Sequence, residues 1–244
     1  MSPSWPPEAL KAQAVVARTF ALANLGKYHA SGFDLSDDSL SQGYGDLDRE
    51  SAPATEAVRS TRGQVLWWGG SLLPAFFHSC CGGHTLSSAE AWGGGTSAPK
   101  PLRGVGDRWC RESPHAAWTA YFSDEDLLSA LQRHGVLAAS LHGIRLGRRT
   151  GSGHLRDLRL ALDDEVRDVR ADDLRKWLGS GELKSTKIAR VIKKKHGYVF
   201  LGRGFGHGVG LCQWGAKSMA EHGKTYRQIL KAYFPGADLH VRDD

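Results

Sequence analysis

The feature that most constrains the fold is a run of helix-forming residues near the N-terminus, bounded by prolines and a glycine. Pro6 and Pro7 suit the first turn of a helix, and Gly26 is a natural stop at its C-terminal end. The pattern therefore predicts a helix from Glu8 to about Leu25.

Two faces of this helix can be read from the spacing. Apolar residues at helical intervals predict a core-facing stripe made of Leu10, Ala14, Ala17 and Ala21. A neighbouring face places an acid and two bases in line, through Glu8, Lys11, Val15 and Arg18. From spacing alone this second face fits either a cleft or a solvated surface with one Glu–Lys pair.

The rest of the chain alternates between strand and helix patterns. Apolar runs around the turn Gly69-Gly70-Ser71 predict a hairpin, and the stretch 187–210 predicts a strand pair that ends in a glycine-dense turn. Helix starts are indicated by Ser123 and by Thr225, which are good N-cap residues. The basic, alternating middle third, residues 113–190, suggests a smaller subdomain beside a cleft.

The composition of the chain limits the classes of molecule that it is expected to bind. The 244 residues carry 32 Lys and Arg against 26 Asp and Glu, a net charge of +6, which suits an anionic polymer or surface. Lys193-Lys194-Lys195 is basic, but no known nucleic-acid motif accompanies it, so we expect no nucleic-acid partner. No apolar run is long enough to span a membrane and no signal peptide is present, so we expect an N-terminal anchor or export signal that this sequence lacks.

Several common catalytic signatures are missing. The glycines from 202 to 210 alternate and do not follow GxGxxG, and there is no phosphate-binding loop, HExxH or GxSxG motif. The four cysteines, at positions 80, 81, 110 and 212, fit reduced thiols or a bridge from Cys110 or Cys212 to the adjacent pair. A metal bound by His78, Cys80, Cys81 and His84 is disfavoured, because zinc sites normally draw ligand pairs from two segments.

Three segments together are more specific than any single motif. They are EALKAQAVVARTFAL at 8–22, FHSCCGGHT at 77–85, and GFGHGVGLCQWGAKSMAEHGKTYRQILKAYFPGA at 204–237. With TRGQVLWWGG at 61–70 and DLRKWLGSGELKST at 173–186, they resemble the SpoIID/LytB family of stage II sporulation protein D. The resemblance covers nearly the whole chain. With the element pattern, it implies an α+β fold: one SpoIID-like domain over 1–244, with a mixed sheet and packed helices.

The resemblance also implies an activity. Members of the SpoIID/LytB family act on bacterial cell-wall peptidoglycan as lytic transglycosylases, and the resemblance places the family's catalytic glutamate at Glu8. We expect Glu8 to act as both general acid and general base on glycan strands stripped of their peptides. Such a role needs a raised pKa, and we expect apolar enclosure by Trp5 or Trp214 to outweigh Lys11 and the helix N-terminus.

The remaining expectations follow from the same motif segments. The candidate substrate-binding residues are Lys11, Arg18, His78, Ser79, His84, His207, Gln213 and Trp214. Some relatives bind zinc in a loop after the first helix, but the matching positions here are Ser36, Leu40 and Ser41, so we expect no metal and no cofactor. The expected location is the cell envelope, with a cell-wall amidase as a further partner.

Two alternatives remain open from sequence. Glu90 or Asp107 could serve as a second carboxylate, which would make the protein a muramidase that hydrolyses the same bond. LytB-type relatives resemble amidase enhancers, which makes a non-catalytic glycan-binding module the other alternative. The intact EALKAQA motif favours the enzyme.

Overall fold

The computed structural model describes residues 1–36, 50–93 and 97–242. Contacts divide the chain into two compact units. Unit 1 comprises Met1–Phe77, Pro99–Leu102 and Gly210–Asp244, and unit 2 comprises His78–Ala98 and Arg103–Val209. Both units combine helices and strands, which confirms the α+β class.

The predicted subdomain at 113–190 falls wholly inside unit 2, and its independence stays a prediction. Within the described residues, no helix combines the length and the apolar character needed to cross a bilayer. Positions Leu40 and Ser41, in the loop expected to have lost its zinc ligands, lie outside the described residues.

Unit 1 is built around its first helix. Its helices are α1 (Pro7–Ala23), α2 (Ala52–Ser60), α6 (Gln213–Glu221) and α7 (Tyr226–Tyr233). Its strands are β1 (Gln64–Trp68), β2 (Ser71–Leu72), β10 (Leu211–Cys212) and β11 (Asp238–Val241), while β3 (Phe77–His78) ends where the chain enters unit 2. Strand β1 pairs antiparallel with both β2 and β11, so the C-terminal strand closes a three-stranded sheet.

The buried face of α1 differs from the predicted stripe. The buried residues are Ala9, Leu10, Ala12, Val15, Val16, Thr19 and Phe20. Of the predicted stripe only Leu10 is buried, and Ala14, Ala17 and Ala21 are partly exposed. The helix contacts α2, β1, α6 and α7, so its partners lie around more of its circumference than one stripe covers. Small alanines on several faces do not show which face those partners take.

A buried hydroxyl fixes α1 against β1. The Thr19 Oγ1 donates to the carbonyl oxygen of Val15 at 2.7 Å and accepts from the backbone N–H of Leu66 at 2.9 Å. A buried hydroxyl without hydrogen-bond partners is energetically costly, so this pair of hydrogen bonds fixes the position of α1 relative to β1.

Unit 2 contains two antiparallel sheets around one apolar core. Its helices are α3 (Ser88–Trp92), α4 (Asp124–Arg133) and α5 (Ala171–Trp177). Its strands are β4 (Trp118–Ser123), β5 (Leu141–Leu146), β6 (Asp157–Leu162), β7 (Glu165–Arg170), β8 (Ile188–Lys194) and β9 (Gly197–Gly202). The sheet orders are β4-β9-β8 and β5-β6-β7. Buried leucines at positions 158, 160 and 162 line the core from β6.

The strands of the described residues form several small sheets. In the three-stranded sheets the strands pair antiparallel, and tight hairpins at residues 163–164 and 195–196 join β6 to β7 and β8 to β9. The predicted N-caps are confirmed: Ser123 caps α4 and Thr225 caps α7, each within a capping box. The capping box therefore fixes Tyr226 as the first residue of α7.

Candidate active site

Glu8 lies in the first turn of α1, in unit 1, with 30% of its side chain exposed. Pro6 is the N-cap of α1 and Pro7 is its first residue. Proline fits these positions because no backbone hydrogen-bond donor is needed there. The carboxylate is thus fixed at its base and still reachable by a ligand.

Both oxygens of the carboxylate are occupied by donors. Oε1 accepts from Lys11 Nζ at 2.8 Å, and Oε2 accepts from the backbone N–H of Tyr226 at 2.6 Å. Tyr226 is the first residue of α7, so its N–H is one of the donors that a helix leaves without an internal partner. Glu8 therefore sits at the N-terminal ends of two helices, where partial positive charge favours an anion.

These contacts decide the charge of Glu8. Burial on its own raises the pKa of this carboxyl, but the hydrogen bonds from Lys11 and Tyr226 and the charge of Lys11 outweigh it, so the pKa is lowered. The expectation of a raised pKa is wrong for the protein without ligand. The two hydrogen bonds and the charge of Lys11 together have the larger effect, because a partly exposed carboxylate has a smaller desolvation cost than an enclosed one.

An aromatic and amide group lies on the neighbouring surface of unit 1. Trp214 packs edge to face on Trp5 with ring centroids 4.9 Å apart, and Lys217 Nζ lies 5.4 Å from the Trp214 ring centroid. Gln213 Nε2 donates to Gln13 Oε1 at 3.2 Å, which links α6 to α1. The sequence-predicted residues Gln213 and Trp214 are therefore both fixed to residues of the N-terminal segment.

The guanidinium of Arg18 has a different environment from the one expected. It donates to the backbone carbonyls of Thr61 at 2.8 Å, Gln64 at 2.9 Å and Val58 at 3.2 Å. These carbonyls belong to the end of α2 and the start of β1, so Arg18 ties three elements of unit 1 together. A role in substrate binding stays a prediction.

Four of the predicted residues lie in unit 2. His78 is buried, with Nδ1 at 3.0 Å from the Val209 carbonyl oxygen, and burial together with the charge of His207 lowers the pKa of His78 to about 3. His207 lies 5.6 Å from His78 and 5.4 Å from Trp92, measured between ring centroids.

His84 Nδ1 is 2.7 Å from the carbonyl oxygen of Thr85, and Ser79 lies next to His78 in the chain. The contact with Thr85 holds the His84 ring in place. Their proposed contact with sugar stays a prediction.

The two acids weighed as second carboxylates also lie in unit 2, and both are engaged. Glu90 forms an ion pair with Arg156 at 3.1 Å. Asp107 is buried, and its Oδ1 accepts from the backbone N–H of Trp109 at 2.8 Å.

Comparison with known proteins gives the family. A sequence model described as stage II sporulation protein matches residues 1–68, which include the whole of α1, and one described as a domain of unknown function matches residues 108–210. The chain is 31% identical to the stage II sporulation protein D of Bacillus amyloliquefaciens over 97% of its own length and 70% of that protein. The chain belongs to the stage II sporulation protein D family.

Two further relatives of this SpoIID member are longer proteins. It is 33% identical to an uncharacterised protein of Brachyspira hyodysenteriae, over 98% of the chain and 63% of that protein. It is 29% identical to the amidase enhancer of Bacillus subtilis, over 98% of the chain and 39% of the enhancer. The chain thus spans less than two thirds of the length of these two relatives.

In this SpoIID chain, two contacts of Tyr226 at the site were not predicted from the sequence. The Tyr226 N–H binds Glu8, and the Tyr226 hydroxyl donates to Gln64 Oε1 at 3.0 Å. The signal for the first was present, because Thr225 as an N-cap implies that the next residue has an N–H that needs an acceptor. Which acceptor it finds depends on the packing of α7 against α1.

Proposed function

We propose that this SpoIID member is a peptidoglycan lytic transglycosylase that uses Glu8 as its general acid and base. It cleaves the bond between N-acetylmuramic acid and N-acetylglucosamine and leaves 1,6-anhydro-muramic ends. The observation that carries the proposal is a partly exposed carboxylate held by two donors in the motif where the family resemblance puts its catalytic glutamate.

The reaction needs only one carboxyl group. Glu8 gives its proton to the glycosidic oxygen as the bond from that oxygen to the muramic anomeric carbon breaks. The resulting carboxylate takes the proton of the muramic 6-hydroxyl, whose oxygen bonds to the same carbon. Atoms and charge balance without a water molecule, and proton transfer of this kind contributes roughly 10²–10⁴ in rate.

The lowered pKa requires that substrate changes the surroundings of Glu8. A glycan strand without stem peptides carries a carboxylate on each muramic lactyl group. In this proposal Lys11 turns from Glu8 to that carboxylate, while the sugar excludes water from the site. Both changes raise the pKa of Glu8 and allow it to hold the proton that it donates.

The surrounding residues have supporting roles in this proposal. Trp214, packed on Trp5, offers a flat face to a sugar ring, and Gln213 offers an amide. Arg18, His78, Ser79, His84 and His207 stay candidate substrate contacts. The chain would act in the cell envelope, where its substrate is found.

The relative named amidase enhancer supports a second candidate. In that function the protein would bind glycan and increase the activity of a cell-wall amidase without cutting the strand itself. A muramidase is less well supported, because Glu90 is ion-paired with Arg156 and Asp107 is buried.

The test compares three proteins on peptide-stripped glycan strands and on intact peptidoglycan: the parent chain, Glu8→Gln and Glu125→Gln. The glutamine at position 8 can still accept from Tyr226 but cannot transfer a proton. We expect strand cleavage to fall by roughly 10²-fold or more in Glu8→Gln. Glu125, exposed on α4, gives a matched control that should keep full activity.

Equal cleavage by Glu8→Gln and the parent chain would reject the proposed mechanism. An absence of cleavage by the parent chain, combined with stimulation of an added amidase, would support the enhancer function instead.

A further inference from the structure

Two thiols and one carboxylate of unit 2 lie close together. Cys81 Sγ lies 3.5 Å from Cys110 Sγ and 3.2 Å from Asp107 Oδ2. Each of the three side chains offers one ligand atom, and these atoms lie within 4.8 Å of one another. All three residues are buried, with at most 3% of their surface exposed.

The backbone brings these residues together from two separate segments. The N–H of Asp107 donates to the Gly83 carbonyl at 3.0 Å, and the N–H of Thr85 donates to the Val105 carbonyl at 2.8 Å. Gly82 and Gly83 have φ of 63° and 106°, which lets the chain turn immediately after Cys81. The three side chains are therefore positioned by the fold.

The carboxylate is also oriented. Oδ1 of Asp107 accepts from the Trp109 N–H at 2.8 Å, so Oδ2 is turned toward the Cys81 thiol. Metal-binding carboxylates commonly have their second oxygen held by such a hydrogen bond.

Two of the three separations, those from Cys81 to Cys110 and to Asp107, are close to the values for a tetrahedral ion. Two thiolates at ~2.3 Å from zinc are about 3.8 Å apart, and a thiolate and a carboxylate oxygen are about 3.6 Å apart. The observed separations of 3.5 and 3.2 Å are shorter by a few tenths of an ångström, which small side-chain rotations supply. A disulfide would require the sulfur atoms to approach to ~2.05 Å.

The charges can also be balanced. Two thiolates and a carboxylate carry three negative charges, and a divalent ion neutralises two of them. Lys187 supplies a positive charge nearby, with Nζ donating to the Cys81 carbonyl at 3.5 Å. Asp107 and Cys110 also line a cavity of about 730 Å³ within unit 2.

We propose that Cys81, Asp107 and Cys110 bind a zinc ion that joins the segment 80–85 to the segment 105–110. A further protein ligand or a water molecule completes the coordination. The sequence-based expectation of no metal rested on Ser36, Leu40 and Ser41, which stand where some relatives have zinc ligands. A second candidate group, made of His78, Cys80, Cys81 and His84, was disfavoured because its members lie on one segment. The ligand set proposed here takes only Cys81 from that group and adds two residues from a second segment.

The first experiment measures the metal content of the full chain purified from zinc-supplemented minimal medium, by elemental mass spectrometry. We expect about one zinc ion per chain for the parent protein and for Cys80→Ser, because Cys80 is a neighbouring buried thiol outside the cluster. We expect the zinc to be lost in Cys81→Ser and Cys110→Ser and to be more weakly held in Asp107→Asn.

The second experiment needs no variant, so it remains valid if the variants fail to fold. The parent protein is stripped of metal under reducing conditions and titrated with cobalt(II). The proposal expects thiolate-to-cobalt charge-transfer absorption that saturates near one equivalent, and an increase in Tm when zinc is added. An absence of zinc, cobalt absorption and Tm increase would overturn it, as would a Cys81–Cys110 disulfide found by peptide mass spectrometry in the protein as purified.

Discussion

The carboxylate of Glu8 accepts a 2.6 Å hydrogen bond from the backbone N–H of Tyr226, although the two residues are 218 positions apart in the chain. The contact joins the first turn of α1 to the first residue of α7. It lowers the pKa of Glu8 together with Lys11, against the effect of burial. In the protein without substrate Glu8 is therefore a carboxylate, and its use as an acid depends on what the substrate changes.

Replacing Lys11 with glutamine should move the pH profile of cleavage. The variant loses the positive charge and the ammonium hydrogen bond that favour the carboxylate, so the pKa of Glu8 rises. If Glu8 must be protonated to act, kcat/KM at high pH depends on the protonated fraction, and the alkaline limb of the profile shifts to higher pH. The profile is measured on peptide-stripped strands from about pH 4 to pH 9.

The same variant tests the proposed contact between Lys11 and the lactyl carboxylate. We expect KM to rise in Lys11→Gln, while Lys11→Arg keeps a lower KM because its charge is retained. An alkaline limb that does not move in Lys11→Gln would contradict the role of Glu8 as the acid.

Arg18→Ala should destabilise the protein. The substitution leaves the carbonyls of Val58, Thr61 and Gln64 without a charged donor, and we expect the free energy of unfolding to fall by about 2–3 kcal/mol. Arg18→Lys should retain part of this stability, because an ammonium group can reach some of the carbonyls but not in the same fork. Urea denaturation provides the measurement.

The alternative role of Arg18 gives a different result. If its main function is to bind glycan, Arg18→Ala raises KM and leaves the urea midpoint unchanged. That outcome would show that the carbonyl contacts contribute little to stability.

Acidification should destabilise unit 2 before its carboxylates titrate. Burial lowers the pKa of both His78 and His154 from 6.5 to about 3. Below pH 6.5 the unfolded chain binds a proton on each histidine, whereas the folded chain does not until about pH 3. Stability is therefore lost as the pH falls, by up to about 1.4 kcal/mol per pH unit for each histidine.

This is measured by denaturant unfolding at several values between about pH 7 and pH 4.5. His154→Gln should show a shallower slope than the parent chain, because one of the two buried imidazoles is removed. An unfolding free energy that is constant over this range would show that the two histidines are protonated in the folded state.

Local signals in the sequence were enough to predict the ends of several elements. Although α1 ends at Ala23, before the predicted stop at Gly26, the two prolines at its start and Thr225 before α7 have the structural roles that their chemistry suggests. These roles depend on backbone geometry within a few residues. They do not depend on what packs against the helix.

Features that depend on distant partners were predicted less well. The buried face of α1 was misassigned at Ala14, Ala17 and Ala21, since alanine fits a buried or a partly exposed position equally well. The pKa of Glu8 was expected to rise, because the N–H of Tyr226 could not be placed beside it from the sequence. Asp107 was weighed only as a second catalytic acid, although it lies beside Cys81 and Cys110.

The most direct test of the central claim is the structure of the cleavage product formed in oxygen-18-labelled water. Peptide-stripped strands are digested by the parent chain and by Glu8→Gln, and the new ends are examined by mass spectrometry. A transglycosylase with Glu8 as its acid and base should give anhydro-muramic ends without the heavy isotope, from the parent chain only. Reducing ends that carry oxygen-18 would contradict this account and identify the protein as a hydrolase.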